Sequence, residues 1–234
     1  MVNAGAILIS SLLKPELSLS ERFEYVSQCL KRMSGGETIG FNNSVFLSER
    51  ESADRNFALA YYMREHKCFP ENTNLMETLD FYFQQCSIEV NCDSAAVIAA
   101  TLANGGICPI TNETVVEPTH VCNALSLMLS CGMYDYSGQF AFNIGLPAKS
   151  GVSGAVLLVI PNIAGVCVYS PRLDPLGNSC RGIQFCERLI KEFNFHHLDS
   201  MRRMKYKRDP RQRRSDKPVN SVLNLIYSAG MNVT

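Results

Sequence analysis

The segment Ala148-Lys149-Ser150-Gly151-Val152, followed closely by the apolar run Ala155-Val156-Leu157-Leu158-Val159-Ile160, decides the fold. The run is rich in aliphatic and β-branched residues and predicts a buried strand. A Lys-Ser-Gly ahead of it is typical of a strand edge beside a pocket, because glycine lets a ligand approach the backbone and lysine adds positive charge. Such a strand edge can bind an oxyanion.

A second predicted strand, Gly165 to Ser170, follows the first, Gly154 to Ile160, after Pro161-Asn162-Ile163-Ala164. This spacing predicts a β-hairpin. An isolated hairpin is marginally stable in water. We therefore expect these strands to belong to a larger sheet, whose other members lie outside the chain or in segments with a weak pattern.

Most of the remaining chain has the apolar spacing and end signals of helices, so the predicted class is α/β (α+β) and mostly helical. The opening segment to Lys14 is apolar on nearly every side and predicts a buried helix that Pro15 ends. Three further helices are predicted to begin at the capping box Ser18 to Glu21, at Ser48-Glu49-Arg50-Glu51, which leads to about His66, and at Asn74. Asp93 is predicted to cap the next helix, which ends at Asn104, and Pro118 begins a helix that ends at Gly132. The last two run from Ser137 to Ile144, where helix is favoured over strand, and from about Asn178 to Phe193.

Composition excludes several classes of function. Lys and Arg number 22, as do Asp and Glu, so net charge gives no argument for binding nucleic acid or a membrane surface. No apolar run reaches the length of a membrane span. The ten cysteines form no CxxC pair, which fits a reducing compartment, and the four histidines lack an i, i+4 pairing with carboxylates. We expect no nucleic-acid partner, no membrane insertion and no metal site.

A Ser-x-x-Lys occurs at Ser11 to Lys14, where one helical turn would place the lysine beside the serine to take its proton. It lies at the end of a helix and before a proline, and so short a pattern is common by chance. We favour an ordinary lysine at a helix C-terminus, where it complements the helix dipole.

Four further polar residues have a functional and a structural interpretation. On one continuous helix, Glu49 and Asn56 would project from one face, where they could hold the ammonium and carboxylate of a zwitterion, or simply cap the helix. Asn3, inside an apolar helix, needs a partner for its amide, either backbone or ligand. Tyr134 could carry a proton if nearby cations lower its pKa, or it could be a half-buried core residue.

From Met201 to Arg214 the chain has eight basic residues against one acidic residue, Asp209, which predicts a solvated linker, with a partner-binding role second. Residues 219–229 predict a short apolar helix that needs a neighbour to cover it.

Seven longer motifs within residues 1–200 are far more specific together than any short pattern. They are Met1-Val2-Asn3-Ala4-Gly5-Ala6-Ile7, Ser48 to Tyr62 with Asp54-Arg55-Asn56, Thr101 to Pro109, Cys131-Gly132-Met133-Tyr134-Asp135, Ser137 to Phe142, Gly145 to Gly151, and Leu176-Gly177-Asn178-Ser179. On these motifs the chain resembles the serine-dependent glutaminases, and most of all the animal kidney-type and liver-type enzymes of mitochondria.

The resemblance implies a β-lactamase and penicillin-binding-protein-like fold, and hydrolysis of L-glutamine to L-glutamate and ammonia through a glutamyl-serine ester. It makes Tyr134 and Val152 catalytic residues that also contact the substrate: Tyr134 transfers a proton, and the backbone N–H of Val152 belongs to the oxyanion hole. It assigns four residues to the amino and carboxylate ends of glutamine, namely Asn3, Glu49, Asn56 and Tyr82. It implies no cofactor, with phosphate as an activator.

The resemblance also implies dimers or tetramers formed through the helix that carries Phe57 and Tyr62. The full-length protein would be mitochondrial, and otherwise the chain would be cytosolic. The implied domains are most of a catalytic domain over 1–200, a basic linker over 201–218, and the start of a truncated ankyrin-type region over 219–234.

One departure from the family concerns the nucleophile. In the family, the serine and its activating lysine form a Ser-x-x-Lys ahead of the segment that Val2 to Ile7 matches, and this chain begins at that segment. We therefore expect an N-terminally truncated, incomplete domain that is inactive alone, since loss of nucleophile and base abolishes most of the rate of acyl transfer. Two rival hypotheses are a non-catalytic pseudo-enzyme or interaction subunit of glutaminase oligomers, and a β-lactamase-like hydrolase that uses Ser11.

Overall fold

The computed structural model describes residues 1–199 and 207–211, and helices predominate there, as the sequence predicts. The helices are α1 (Asn3–Leu12), α2 (Leu19–Met33), α3 (Asn43–Glu51), α4 (Asp54–Glu65), α5 (Leu75–Cys86), α6 (Cys92–Ala103), α7 (Pro118–Cys131), α8 (Ser137–Asn143) and α9 (Cys180–Glu192). The strands are β1 (Gly40–Phe41), β2 (Ile88–Glu89), β3 (Ala148–Ser150), β4 (Ala155–Ile160) and β5 (Ala164–Tyr169), and a 3-10 turn spans Tyr134–Tyr136.

Strands β3, β4 and β5 form an antiparallel sheet in that order. The predicted hairpin is confirmed, with Leu157 of β4 opposite Cys167 of β5. The Lys-Ser-Gly segment is a strand of its own, since Lys149 pairs with Leu157 and the chain reverses before β4. The prediction that it forms the leading edge of β4 is wrong, because a turn ending at Gly154 separates the two strands. At Gly154, φ is +95° and a Cβ would lie 2.5 Å from the carbonyl oxygen of Ser170, so the turn requires glycine.

The two faces of β4 pack against different helices, because successive side chains point to opposite faces of a sheet. Leu158 is fully buried in a cluster with Phe140 of α8 and Ile190 of α9. Val159, on the other face, is fully buried in a cluster with Ala99 of α6. A fully buried Leu or Val contributes roughly 1.5–3 kcal/mol of transfer free energy. The sheet is thus fixed between two helical layers.

A second core joins α1, α4 and α5. Ile7, Ala60, Leu79 and Phe83 are fully buried in one cluster. Helix α1 packs against both α4 and α5 there, which sets the position of Asn3 at the start of α1.

Local sequence signals predict several helix ends correctly. The side chain of Ser18 and the side chain of Glu21 form the complete capping box of α2. Asn74 caps α5, accepting from the N–H of Glu77 at 3.3 Å. Pro118 opens α7, and the segment from Ser137 is helical, as favoured.

The predicted single helix from Ser48 to His66 is wrong, because α3 ends and α4 begins at Ser52 and Ala53. The hydroxyl of Ser52 donates to the carbonyl of Ser48 at 2.7 Å, and Ala53 is almost fully buried. Glu49 and Asn56 therefore lie on different helices rather than on one helical face.

Two smaller predictions about helices also fail. Asp93 does not cap α6, since the side chain of Asn91 accepts from the N–H of Ser94 at 2.7 Å. Helix α1 is not buried all round, since Ile9 is 56% exposed and Leu12 is 55% exposed. Apolar composition alone did not distinguish its inner face from its outer face.

Residues 207–211 lie against the end of α9. The Nζ of Lys207 is 2.9 Å from the Oδ2 of Asp199, and both side chains are largely buried. Arg208 forms a parallel bridge with Phe193. The rest of the predicted linker, 201–218, and all of the predicted ankyrin-type region, 219–234, lie outside the described residues.

Candidate active site

Two asparagine side chains join the first turns of α1 and α4. The Nδ2 of Asn3 donates to the Oδ1 of Asn56 at 3.0 Å. Asn3 is exposed, so its expected burial inside an apolar helix is wrong. Its amide partner is the second asparagine that the resemblance assigns to the substrate.

Asn3 lies at the start of α1, where the helix offers N–H groups that have no partner within it. Val2, ahead of α1, makes no side-chain cap, and the first backbone bond runs from the N–H of Ala6 to the carbonyl of Val2 at 3.1 Å. The first N–H groups of a helix have no partner within it, and they carry the positive end of the helix dipole. This corner of the molecule therefore favours a carboxylate.

Glu49 lies on α3, half-buried. An ion pair between the Nε of Arg50 and the Oδ1 of Asp80, at 2.9 Å, joins α3 to α5. Tyr82 follows Asp80 by two residues on α5. The ion pair thus holds α3 and α5 together next to Glu49 and Tyr82.

The environment of Tyr82 connects two further predicted residues. Burial raises the pKa of the Tyr82 phenol, the Cys86 thiol raises it further, and Glu49 and Tyr134 add to the shift. Glu49 and Tyr134 therefore both belong to the electrostatic environment of Tyr82. A neutral phenol and a carboxylate at one place provide oxygen acceptors for an ammonium group.

Tyr134 opens the 3-10 turn with a φ of +52°, which is uncommon for a bulky residue. The Oγ of Ser137 accepts from the N–H of Met133 at 3.0 Å and donates to the carbonyl of Tyr134 at 2.6 Å. The Nδ2 of Asn178, which is fully buried, donates to the carbonyl of Met133 at 3.2 Å. Such a conformation costs about 1–3 kcal/mol and persists because surrounding contacts enforce it.

Lys149 lies over the ring of Tyr134, with its Nζ 4.8 Å from the ring centroid. Burial lowers the pKa of Lys149, and nearby Cys131 opposes this effect. Burial also raises the pKa of Tyr134. The condition of a pKa lowered by nearby cations is therefore not met at Tyr134, because burial raises this pKa. At neutral pH the Tyr134 phenol carries its proton and can donate it.

Strand β3 packs against the end of α7. The N–H of Ser150 donates to the carbonyl of Gly132 at 3.0 Å. A Cβ at Gly132 would lie 1.8 Å from the carbonyl oxygen of Ala148, so this approach requires glycine. It brings Lys149 of β3 to Tyr134, two residues beyond Gly132.

Val152 lies in the turn after β3 and is 71% exposed. Within residues 1–199 and 207–211, no backbone acceptor pairs with its N–H. A free backbone N–H at the edge of a site is what an oxyanion donor requires. Val152 lies three positions after Lys149 in the chain.

Ser11 and Lys14 do not form a catalytic pair. The Ser11 side chain is buried, and its Oγ donates to the carbonyl of Leu8 at 2.7 Å. The Nζ of Lys14 lies 3.9 Å from the Oε1 of Glu16. The hypothesis of a hydrolase that uses Ser11 is therefore contradicted. Lys14 lies two residues beyond the end of α1, and the last turn of that helix holds no basic residue.

The two aromatic residues predicted for an oligomer interface differ in position. Phe57 packs inward, with its ring centroid 6.1 Å from that of Phe83. Tyr62 is 60% exposed, and its neighbour Tyr61 is exposed as well.

Ser137 and Asn178, which hold Tyr134, are not among the site residues that the sequence predicts. Both lie in the motifs that carry the resemblance, and that is the signal that could have found them. Their roles depend on contacts across the fold, since Asn178 reaches a carbonyl 45 residues earlier in the chain.

Within the two described ranges, no group of three or more His, Cys, Asp or Glu side chains is placed to hold a metal ion. The same residues include no helix with the length and apolar character needed to cross a membrane. A cavity of about 530 Å³ at α8 and α9 shares no residue with the predicted site; it is lined by Asn143, Glu187, Ile190, Lys191 and Lys207.

Comparison with known proteins identifies related sequences. The family model Glutaminase matches residues 1–198. The chain is 56% identical over 229 residues to the glutaminase liver isoform, mitochondrial, of Rattus norvegicus, covering 98% of this chain and 38% of the rat protein. It is 44% identical over 202 residues to a glutaminase of Nostoc sp., covering 86% of this chain and 59% of that protein. The chain thus spans less than two thirds of the length of these relatives.

Solved structures share the fold. The probable glutaminase of Bacillus subtilis complexed with 6-diazo-5-oxo-L-norleucine is 36% identical and matches with a TM-score of 0.79 over 84% of this chain and 65% of that chain. The crystal structure of Mglu in its glutamate form is 38% identical, with a TM-score of 0.80 over 85% of this chain and 45% of that chain.

Proposed function

Because the chain belongs to the glutaminase family, we propose that the protein carrying it hydrolyses L-glutamine to L-glutamate and ammonia. The observation that supports this most directly is the hydrogen bond between two implied substrate residues of different helices, Asn3 and Asn56. Asn3 bonds to Asn56, and Glu49 and Tyr134 both act on Tyr82. Four helices and the turn after α7 supply these residues, so the cluster is a product of the tertiary fold.

The carboxylate end of glutamine binds at the meeting point of α1 and α4. The amides of Asn3 and Asn56 are already paired there, and each has donors for a carboxylate oxygen. The first-turn N–H groups of α1 add donors and a favourable helix dipole.

The ammonium end binds between Glu49 and Tyr82. A carboxylate in a half-buried position attracts an ammonium more strongly than it would in open water. Hydrogen bonds that involve a charged partner are about twice as strong as neutral ones. Together the two ends fix the α-carbon of the substrate and direct its side-chain amide away from them.

The reaction occurs at that amide. A serine oxygen adds to the amide carbon, the C–N bond breaks, and ammonia leaves with the serine proton, which Tyr134 relays as a phenol that carries its own proton. The N–H of Val152 stabilises the negative charge on the carbonyl oxygen. Water then hydrolyses the glutamyl ester and returns the proton to the serine. Ser11 is not the nucleophile of this proposal, because its hydroxyl donates to the backbone carbonyl of Leu8 in α1.

The ligands of two solved relatives support this substrate. One is complexed with 6-diazo-5-oxo-L-norleucine and the other is in a glutamate form. Both ligands are α-amino acids, so both carry the ammonium and carboxylate that the cluster matches.

The test replaces the matched region of the rat liver isoform with the corresponding residues of this chain; we call the product the exchange protein. We expect it to release ammonia from L-glutamine and the isolated chain to release none. Release by the isolated chain would place the nucleophile within it. A folded exchange protein without activity would favour the rival hypothesis of a non-catalytic interaction subunit.

We propose a mitochondrial location for the full-length protein, supported by the name of the rat relative. We also propose activation by phosphate, as in the family. Ammonia release by the exchange protein with and without phosphate tests the second proposal, and equal rates would contradict it.

We propose assembly into dimers or tetramers through α4, supported by the exposed neighbours Tyr61 and Tyr62. Aromatic residues are enriched at protein interfaces. Light scattering should show a smaller particle for Tyr62→Ser. The same substitution at exposed Tyr25 is the matched control and should leave the mass unchanged.

A further inference from the structure

Helix α6 lies flat against β5 with almost no space between them. A Cβ at Gly165 would lie 2.0 Å from the backbone nitrogen of Ala100 and 2.5 Å from the carbonyl oxygen of Ala96. The N–H of Asn162, just before β5, donates to the carbonyl of Ala103 at 2.9 Å. The end of α6 therefore lies at the start of β5, and the two elements run in opposite directions.

This arrangement sets Cys92 opposite Cys167. From Ala96, one turn back along α6 is about 6 Å and leads to Cys92 on the same face. From Gly165, two residues along β5 is about 6.6 Å and leads to Cys167 on the same face. The two steps match in length and direction, so both thiols lie at the same level of the interface.

The electrostatic environment of Cys167 agrees with this placement. Its pKa is raised to about 12, first by burial and then by the charge and hydrogen bond of the Cys92 thiol. This effect of Cys92 on Cys167 agrees with the placement of both thiols at one level of the interface between α6 and β5. Cys92 is exposed and Cys167 is half-buried, and both are free thiols.

We infer that Cys92 and Cys167 form an oxidisable thiol pair that a peroxide converts into a disulfide joining α6 to β5. Exposed Cys92 reacts first: its sulfur attacks a peroxide oxygen, the O–O bond breaks, and a sulfenic acid and one water form. The sulfur of Cys167 then attacks the sulfur of Cys92. The S–S bond forms, the S–O bond breaks, and the hydroxyl leaves with the Cys167 proton as a second water.

The balance is complete. Two thiols lose two electrons and two protons, and one molecule of hydrogen peroxide is reduced to two waters. A thiol-based reductant reverses the reaction by exchange. The pair is separate from the cluster of Asn3, Glu49 and Tyr82, so this inference does not depend on the proposed function.

The experiment treats the folded, fully reduced exchange protein with hydrogen peroxide, blocks the remaining thiols, and digests it with trypsin and a glutamate-specific protease. These proteases release residues 90–113, with Cys92 and Cys108, and residues 150–172, with Cys167. We expect these two peptides to appear cross-linked, with the mass of their sum less two hydrogens. Fragmentation should assign the bond to Cys92 and not to buried Cys108, and dithiothreitol should remove it.

Cys92→Ser and Cys167→Ser should each abolish the cross-link, while Cys122→Ser, at an exposed position on α7, should leave it intact. Protein unfolded in urea before oxidation should lose the selectivity for this pair. If the folded protein, confirmed by circular dichroism, forms no bond between these two residues or bonds them no more often than other cysteines, the inference is overturned.

Discussion

Replacing Glu49 by Gln removes one negative charge from the proposed ammonium site and keeps the shape of the side chain. Glu49 is half-buried, and its charge acts on the phenol of Tyr82. A hydrogen bond to a charged group contributes about 1.5–3 kcal/mol. Its loss should therefore raise the KM for L-glutamine about 10- to 150-fold. The charge of the ammonium does not change during the reaction, so kcat should change much less.

The assay measures L-glutamate production by the exchange protein over a range of L-glutamine concentrations. Glu51→Gln, at the exposed end of α3, is the matched control and should leave KM unchanged. An ultraviolet titration provides a second readout, because removal of the Glu49 charge should lower the pKa of Tyr82 towards its ordinary value. If the titration shifts and KM does not, Glu49 lies beside Tyr82 but does not bind the substrate, and its assigned role is refuted.

Three further predictions test separate parts of the structure. Tyr134→Phe should lower kcat about 10²- to 10⁴-fold with a smaller change in KM; steady-state kinetics that show an unchanged kcat would exclude proton transfer by this phenol. Gly132→Ala should lower the free energy of unfolding by about 1–3 kcal/mol, because its Cβ would lie 1.8 Å from the carbonyl oxygen of Ala148. Gly138→Ala is the control and should not lower the free energy of unfolding, because nothing lies within 4 Å of the added Cβ. Urea unfolding measures both variants, and equal free energies of unfolding would contradict the close packing at Gly132. The folded-state pKa of Tyr82 is raised, so its contribution to stability is complete below about pH 10 and is lost as the pH rises through the folded-state pKa. As the pH rises above about 10, the free energy of unfolding of Tyr82→Phe should therefore fall less than that of the parent protein. An equal fall of the urea midpoint in both proteins would contradict this.

Local signals predicted helix ends where the capping chemistry is complete within one turn, as at Ser18, Asn74 and Pro118. They failed at Ser48 to Glu51, which imitates a helix start but lies inside α3. The break that follows depends on tertiary packing, since Ala53 is almost fully buried between the two helices. No spacing rule contains that information.

For the candidate site too, the sequence indicated some residues but not the contacts between them. Resemblance named Asn3 and Asn56, but their bond joins residues 53 positions apart and could not be derived from spacing. The sequence left open whether nearby cations lower the pKa of Tyr134, because the burial that raises this pKa depends on the surrounding fold. Ser137 and Asn178 hold the backbone around Tyr134, which has a left-handed conformation. No residue pattern specified that conformation.

The most direct test of the central claim is a crystal structure of the exchange protein with bound L-glutamate. We predict that the α-carboxylate contacts the amides of Asn3 and Asn56, and that the ammonium contacts Glu49 and Tyr82. Glutamate bound elsewhere, or bound with its ammonium away from Glu49, would contradict the account.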